Sequence, residues 1–319
     1  MTNHRLLVMK RIFMLCMLVL IFVNSCTKEM HLSGEQYTFN VNGTLDELPA
    51  EIGTKATLGH TMRMTWTKGD AVSVVNLTKG KALGGSLTAD KSETTSTFSG
   101  TVTGNIDDGD ELALIYPNLG FTDEQTFTSA KVDMSIQDGT DKNMKFCVVA
   151  VIPAETAGGH FVNADTRFYF KSSTINVTLA ELPHAATINK VSFSDLYSGI
   201  VLSINSTKDG INATGVNGTI NIVPTDGNGV HKTSSQGTRA MYFALGGGKS
   251  ISPDRRTISV LMGDDLYESD MTGGALSSGS FYTLSVGAFQ KKSLESVFTL
   301  NYDNSEIEEG ETVTIGDVG

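Results

Sequence analysis

The side chains with the clearest capacity for covalent chemistry in this sequence are its three cysteine thiols, Cys16, Cys26 and Cys147. A thiol can carry a lipid, bind a metal or act as a nucleophile, and its surroundings decide among these roles. Cys16 lies within an apolar run near the N-terminus, and Cys26 directly follows that run. Cys147 stands in the apolar stretch KFCVVAV, which predicts a buried strand in which the thiol is inert. A catalytic role for Cys147 is the alternative.

The segment before Cys26 has the composition of a secretory leader. A basic stretch at residues 9–11 precedes an apolar run at residues 12–23. The run is shorter than the roughly 20 apolar residues that a membrane-spanning helix requires. Its length and basic flank predict a signal peptide over residues 1–25. Met9 opens a more typical signal than Met1, so both are candidate start sites.

The three residues before Cys26 are Val23, Asn24 and Ser25, in the order branched apolar, variable and small. This order resembles the lipobox of bacterial lipoproteins, which implies cleavage between Ser25 and Cys26 and lipidation of Cys26. Two or more acyl chains, at about 0.8 kcal/mol per buried CH₂, would hold a soluble body at a membrane through the linker 26–35. An ordinary signal peptide with an incidental cysteine is the alternative. With Cys16 removed in the leader and Cys26 lipidated, Cys147 has no partner for an intrachain disulfide.

Two short motifs fall short of cofactor or metal sites. The stretch GGGKS at residues 246–250 has Phe243 where a phosphate-binding loop needs its first glycine. The stretch DDGDE at residues 107–111 lacks the glycine and glutamate spacing of an EF-hand. It predicts an acidic turn before a strand, with a weak surface calcium site as the alternative.

The remaining candidates for catalysis are also incomplete. The histidines of the body, His60, His160, His184 and His231, lack the spacing of a zinc motif. No nucleophile-elbow sequence occurs. We therefore predict no catalytic residue, no metal site, no cofactor and no enzyme activity.

The composition indicates a secreted β-protein and excludes nucleic acid as a partner. The net charge of −11 would repel a phosphate backbone. Only 18% of the residues are charged and 33 are glycine, a balance that suits short strands joined by turns. Without the leader roughly 290 residues remain, which is enough for two domains.

Alternation of apolar and polar residues recurs along the body, as expected for strands with one buried face. The clearest examples are residues 37–41, 62–66, 112–116, 132–136, 175–179, 220–222, 241–245, 258–262 and 282–286. Clusters rich in Gly, Asp and Asn separate them. Short strands at this spacing predict an all-β fold of antiparallel β-sandwiches. Trp66 alternates with Met62 and Met64, which predicts a core position.

A Pro and a Gly pair in IPAETAGGH, residues 152–160, predict a domain boundary. We expect an N-terminal sandwich over residues 36–157 and a C-terminal sandwich over residues 158–289. The tail 290–319 is acidic, but residues 297–302 and 311–315 keep strand-like patterns.

Three further segments form a recognisable series. Trp66, Gly69 and Asp70 precede the strand-like VSVV, Tyr116-Pro117 follows an apolar strand, and Gly279 precedes Tyr282 by three positions. This series resembles the fimbrillin-like proteins of Bacteroidetes. The resemblance implies two tandem transthyretin-like antiparallel β-sandwiches in a lipid-anchored protein on the surface of the outer membrane. It also implies a structural or accessory subunit of fimbriae or pili in cell adhesion, with other subunits as partners in a homo- or heteropolymer.

The resemblance further implies strand exchange. In pilus-forming members a protease removes the first strand, and the C-terminal strand of a second subunit fills the groove. Here the removable strand would be residues 37–42, followed by an accessible loop at residues 43–57. The only basic residue of that loop is Lys55, so the candidate maturation cleavage lies between Lys55 and Ala56. Arg63, the nearest arginine, is assigned to a strand at residues 62–66.

Other interpretations of the same residues stay open. The chain is alternatively an accessory subunit that is not processed, or a non-polymerising, lipid-anchored surface module that binds a glycan or a host protein. The N-terminus of the protein isolated from cells distinguishes them. A start at Cys26 indicates a retained anchor, and a start near Ala56 indicates a processed polymer subunit.

Overall fold

A computed structural model of the protein describes residues 34–48, 63–141, 143–156, 159–223, 231–247, 249–250, 256–271 and 275–292. Every regular element in these ranges is a β-strand, which confirms the all-β prediction. The described part of the chain contains no helix with the length and apolarity that crossing a bilayer requires. The predicted leader and the tail beyond Lys292 lie outside it.

The first twelve strands are β1 (Glu35–Leu45), β2 (Ala71–Asn76), β3 (Lys81–Ala82), β4 (Gly84–Gly85), β5 (Leu87–Ala89), β6 (Thr95–Gly104), β7 (Glu111–Tyr116), β8 (Gln125–Thr126), β9 (Ala130–Asp133), β10 (Ile136–Gln137), β11 (Val148–Pro153) and β12 (Phe161–Phe170). The next twelve are β13 (Ser172–Leu179), β14 (Thr187–Ile188), β15 (Lys190–Ile204), β16 (Ile211–Ile222), β17 (His231–Lys232), β18 (Arg239–Gly246), β19 (Lys249–Ser250), β20 (Arg256–Met262), β21 (Asp265–Met271), β22 (Ala275–Leu276), β23 (Phe281–Val286) and β24 (Gln290–Lys292).

Most of the alternating segments fall on these strands. The patterns at residues 112–116, 175–179, 241–245 and 282–286 coincide with β7, β13, β18 and β23. The pattern at residues 132–136 is only partly correct, because β9 ends at Asp133 and Ile136 is 55% exposed in β10.

The ten-stranded sheet contains a closed ring of hydrogen-bonded strands. The ring runs β1, β12, β11, β7, β2, β5, β6 and back to β1. Neighbours in the ring are antiparallel except β1 and β12, which are parallel. Each inner face therefore packs against strands from the opposite side of the ring.

Trp66 lies at the centre of the first hydrophobic core. Its ring centroid is 4.8 Å from that of Phe98 and 5.0 Å from that of Phe168, both in edge-on geometry. Trp66 and Met64 are buried, which confirms the predicted core position of Trp66. The predicted strand at residues 62–66 is wrong in its described part, because residues 63–67 form no ladder. The backbone N–H of Trp66 instead donates to the Glu93 carbonyl at 2.9 Å.

Later strands form a second core. Strand β13 lies between β18 and β23, and β15 lies between β16 and β20 in the seven-stranded sheet. The rings of Phe193 and Phe243, 4.5 Å apart, are at the centre of this core.

The long strand β15 contributes to both cores. Phe193 near its start belongs to the second core, whereas Ile200 and Leu202 near its end belong to the first. The register against β16 shifts between these two parts, which allows the strand to present different faces. The predicted boundary after residue 157 stays a prediction. The chain leaves the ring only after β12, at Lys171, because β12 pairs with β1 and β11.

Candidate functional site: the first strand and its groove

Strand β1 alternates as the sequence predicts. Tyr37, Phe39 and Val41 point into the first core and are at most 2% exposed, and Thr38 and Asn40 point outward. Asn42 also faces outward, where its amide donates to Asp165 Oδ1 at 2.8 Å. Residues 43–45, predicted as part of a loop, instead continue β1 to the buried Leu45.

Gly43 explains why the alternation of apolar residues stops before β1 ends. It occupies an inward position, where a Cβ atom would lie 2.5 Å from Phe168 Cε2 and 3.1 Å from Phe98 Cδ2. Aromatic rings thus fill the space that a side chain would take. The Trp66 indole N–H donates to the Gly43 carbonyl at 3.1 Å. The core aromatic cluster is therefore attached directly to β1.

Backbone ladders hold β1 on both sides. Ten residues of β1 pair with β6, and eight pair with β12. Four inward side chains, Tyr37, Phe39, Val41 and Leu45, add about 1.5–3 kcal/mol each through burial. Without β1, an apolar groove would lie between two strands with unpaired N–H and C=O groups, which is a template for another strand.

The N-terminal end of β1 is held by Tyr37. Its hydroxyl lies 2.8 Å from both Glu35 Oε2 and the Ile106 carbonyl oxygen, and its ring packs edge-on against His160 at 5.2 Å. Burial raises the pKa of Tyr37 and Glu35 raises it further, so the hydroxyl stays protonated as a donor.

The connection after β1 carries the candidate cleavage sites. Lys55 and Ala56 lie outside the described residues, as do Ser25 and Cys26. Arg63 is described, and its side chain is 73% exposed and 3.0 Å from Glu47. It does not belong to a strand, so the predicted placement of Arg63 in a ladder is wrong. An accessible arginine is thus present on the C-terminal side of β1.

The outer face of β12 was not recognised in the sequence. Phe161 and Tyr169, at 64% and 55% exposure, share this face, with Asn163 and Asp165 between them. Asn40 of β1 is the register partner of Asn163, and both line a depression of about 460 Å³. The signal was present in FVNADTRFYF, whose odd-numbered residues are those that face outward.

The remaining sequence candidates do not converge on a site. Cys147 is buried in the first core, and burial raises the pKa of its thiol to about 12. His231 is buried and bonded through its ring to Arg239 and to the Asp138 carbonyl, whereas His160 is exposed. Within the described ranges no cluster of three or more His, Cys, Asp or Glu side chains is arranged to hold a metal ion.

The acidic stretch at residues 107–111 forms the predicted turn before β7. Lys79 Nζ lies 2.9 Å from Asp107 Oδ2 and 3.1 Å from Asp110 Oδ2. A lysine cation thus offsets part of the charge of two of these carboxylates, Asp107 and Asp110, and the weak calcium site stays an untested alternative.

Comparison with known proteins shows likeness in fold. No protein-family model and no curated protein matches the sequence. A solved structure of a proposed cell adhesion protein from Bacteroides ovatus aligns with a TM-score of 0.50 at 14% identity, over 81% of this chain and 97% of that chain. The fimbrial anchor protein Mfa2 from Porphyromonas gingivalis aligns with a TM-score of 0.39 at 13% identity, over 74% of this chain and 83% of that chain. The tip fimbrial protein Mfa3 from Porphyromonas gingivalis, truncated at its C-terminus, aligns with a TM-score of 0.37 at 9% identity, over 81% of this chain and 98% of that chain. The expected resemblance to Bacteroidetes adhesion proteins is therefore confirmed in fold by the first of these structures.

Proposed function

We propose that this protein is a fimbrillin-like surface lipoprotein that acts in cell adhesion as a structural or accessory subunit of fimbriae or pili. The observation that carries the proposal is the position of β1. It is the first strand of the described chain, it lies between two neighbours, and it fills an apolar groove with alternate side chains. A strand from another subunit with the same alternation would fit the groove that β1 leaves.

The proposed organisation follows the sequence. Cys26 carries the lipid after cleavage behind Ser25, and two transthyretin-like β-sandwiches follow in tandem. The linker 26–35 spans about 35 Å at most, so the first domain lies close to the outer membrane surface. The other subunits of a homo- or heteropolymer are its partners, and the protein is neither an enzyme nor a nucleic-acid-binding protein. The fold shared with a proposed adhesion protein supports this organisation.

Maturation would remove β1 by cleavage of the connection that follows it. The candidate bonds are Lys55–Ala56 and the bond after Arg63. The Arg63 side chain is exposed, so an arginine-specific protease can reach this side chain. The candidate donor is the tail 290–319, in which Phe298, Leu300 and Tyr302 alternate. Three alternate apolar side chains match the spacing of Tyr37, Phe39 and Val41 in β1.

The test is the N-terminus of the protein isolated from its own cells, determined for the wild type, Lys55→Ala and Arg63→Ala. We expect a new N-terminus near Ala56 or Met64, which one of the two substitutions abolishes. A wild-type chain that always starts at Cys26 would contradict maturation.

Assembly is tested with a chain that begins at Ala56. We expect this chain to form higher-order species, because its groove is open, and deletion of residues 296–319 to abolish them while the circular dichroism spectrum stays that of a β-protein. An Ala56-start chain that stays monomeric at high concentration over days would contradict strand exchange.

The outer face of β12 favours a second function, that of a non-polymerising, lipid-anchored module that binds a glycan or a host protein. The exposed rings of Phe161 and Tyr169 share a strand face with Asn163 and Asp165, which line the depression, and this combination of aromatic and polar groups suits a sugar ring with its hydroxyl groups. This function requires a retained N-terminus at Cys26 and a monomer. Binding to immobilised glycans that Phe161→Ala and Tyr169→Ala both weaken would support it.

A further inference from the structure

A concave pocket of about 470 Å³ lies away from β1, between the end of β7, the strand β9 and the segment before β11. Its apolar lining includes the rings of Tyr116, Phe121 and Phe146, and its rim carries Lys131, Asp133 and Lys145. The volume is within the range of small-molecule sites, about 300–1,000 Å³. No residue of β1 or β12 lines this pocket, so it is separate from the groove and from the outer face of β12.

The aromatic part of the pocket is preformed. The rings of Tyr116 and Phe146 lie 4.7 Å apart at an angle of 33°, and the Tyr116 hydroxyl donates to Asp70 Oδ1 at 3.4 Å. Burial raises the pKa of Tyr116, with the charge of Asp70 as a further cause, so the ring stays neutral. The pocket therefore offers an uncharged aromatic surface that needs little reorganisation to receive a ligand.

The loop after β7 is held in place by Ser73, which is buried in β2. The Ser73 hydroxyl donates to Asn118 Oδ1 at 2.7 Å and accepts from the Leu119 N–H at 2.8 Å. The Gly120 N–H also donates to Asn118 Oδ1, at 3.0 Å. These bonds hold the loop that carries Phe121 to the pocket.

The rim is cationic in a chain of net charge −11. The side chains of Lys131 and Lys145 are exposed, and neither forms an ion pair or a hydrogen bond with another side chain of the described ranges, while the charges of both act on Asp133. The third charged residue, Asp133, is already engaged, because its carboxylate accepts from the N–H and the hydroxyl of Ser135, each at 3.1 Å. Burial acts to raise the pKa of Asp133, but the Ser135 bonds and the charges of Lys145 and Lys131 hold it below its usual value.

Some other lysines of the described ranges have acidic partners. Lys79 pairs with Asp107, Lys91 with Glu93, and Lys291 with Asp265. Two lysines against one carboxylate, Asp133, leave one positive charge beside the aromatic pocket, which an external anion can neutralise.

We propose that this pocket binds a small organic carboxylate whose ring packs on Tyr116, Phe121 and Phe146 while its carboxylate meets Lys131 and Lys145. Two sources share this chemistry. An acidic sugar offers the C–H face of a pyranose ring, and an aromatic acid offers a planar ring. Exposed ion pairs are weak and are screened by salt, so the binding is salt-dependent.

Ligand-detected NMR titration of the full chain in detergent tests the proposal. One pair of probes is methyl glucuronide, which carries a carboxylate, and methyl glucoside, which carries a hydroxymethyl group in its place. The other pair is 4-hydroxyphenylacetate and its amide. We expect at least one acid to bind more tightly than its neutral partner, and that acid identifies the source. Lys131→Ala and Lys145→Ala should each weaken its binding by roughly fivefold, and added salt should weaken it too.

Lys190→Ala is the matched control, because Lys190 is exposed on β15 and does not line the pocket. We expect it to bind as the wild type does, and Phe121→Ala to bind more weakly. Binding of neither acid, equal binding of the acids and their neutral partners, or equal effects of all three lysine substitutions would overturn the proposal. None of these results bears on strand exchange, since the pocket and β1 share no residue.

Discussion

Asp110 shows how a buried charge can be structural rather than catalytic. Its carboxylate accepts from the Asp107 N–H at 2.9 Å and from the Asn76 amide at 2.7 Å, and it lies 3.1 Å from Lys79 Nζ. Burial acts to raise the pKa of Asp110, but these three partners hold it below the usual value. The carboxylate thus connects the turn before β7 to the end of β2.

The depressed pKa of Asp110 predicts a pH-dependent contribution to stability. A carboxyl group with a lower pKa in the folded state stabilises the fold above its unfolded pKa of about 3.9, and this contribution is lost as the pH falls through the folded pKa. Asp110→Asn should therefore reduce the free energy of unfolding by about 1–3 kcal/mol at pH 7. The difference in the free energy of unfolding between Asp110→Asn and the wild type should shrink towards pH 3. Urea unfolding at both pH values measures it.

The control for Asp110→Asn is Asp141→Asn, at an exposed position. It should change stability little at either pH. An equal loss of stability for Asp110→Asn at pH 7 and pH 3 would show that the charge is not the cause.

Cys147 provides a second prediction. Because its thiol is buried and its pKa is raised to about 12, little thiolate forms at pH 8 and reagents have no access to it. We expect iodoacetamide to leave Cys147 unlabelled in the folded protein and to label it completely in urea. Mass spectrometry of the peptide that contains Cys147 makes the measurement. Rapid labelling of the native chain would contradict the burial of Cys147 in the core.

Strand β1 depends on a residue that has no side chain. Gly43 leaves room for Phe168 and Phe98, and its carbonyl accepts from the Trp66 indole. A methyl group at this position would have to displace an aromatic ring from a filled core. The fit of β1 into its groove is therefore sensitive at one inward position even to the smallest side chain.

Gly43→Ala should destabilise the protein by about 1–3 kcal/mol through overpacking. Trp66, the only tryptophan, reports this site directly, so its emission should change in the folded state and its urea midpoint should fall. Asn40→Ala, an exposed and outward change in the same strand, is the matched control and should leave both unchanged. Identical emission and midpoints for the two variants would show that the site tolerates a methyl group.

The two cores of the described ranges share the hairpin of β15 and β16. Strands β15 and β16 pair along eleven positions, and their two ends supply side chains to different cores. Loss of order in the second core would release the hairpin that also supplies Ile200, Leu202 and Ile211 to the first. We therefore expect the described ranges to unfold as a coupled unit.

Phe243→Ala tests this coupling. It should leave a cavity in the second core at a cost of about 3–5 kcal/mol. Although Trp66 lies in the first core, its fluorescence midpoint in urea should fall together with the far-UV circular dichroism midpoint. Lys232→Ala, at an exposed position, serves as the control. A Trp66 midpoint that stays at the wild-type value would show that the cores unfold independently.

The sequence by itself determined the type of the elements and much of the burial. Alternation is a property of a single strand, so β7, β13, β18 and β23, and the inward residues of β1, follow from local order alone. The core position of Trp66 was predicted for the same reason. The pattern failed where an inward position carries no side chain, at Gly43, and where extended chain makes no ladder, at Arg63.

Only the tertiary structure decided which strands are neighbours and where the concave sites lie. Asn42 meets Asp165 across 123 positions of sequence, because β1 and β12 pair in parallel. Likewise Tyr116, Lys131 and Lys145 line one pocket only after three separate segments have packed. The alternation of a strand specifies which face is buried but leaves its partner unspecified, since pairing depends on the hydrophobic patterns and turns of the whole chain. The closed ring that includes β1, and the groove that the proposed exchange requires, therefore exist only in the folded protein.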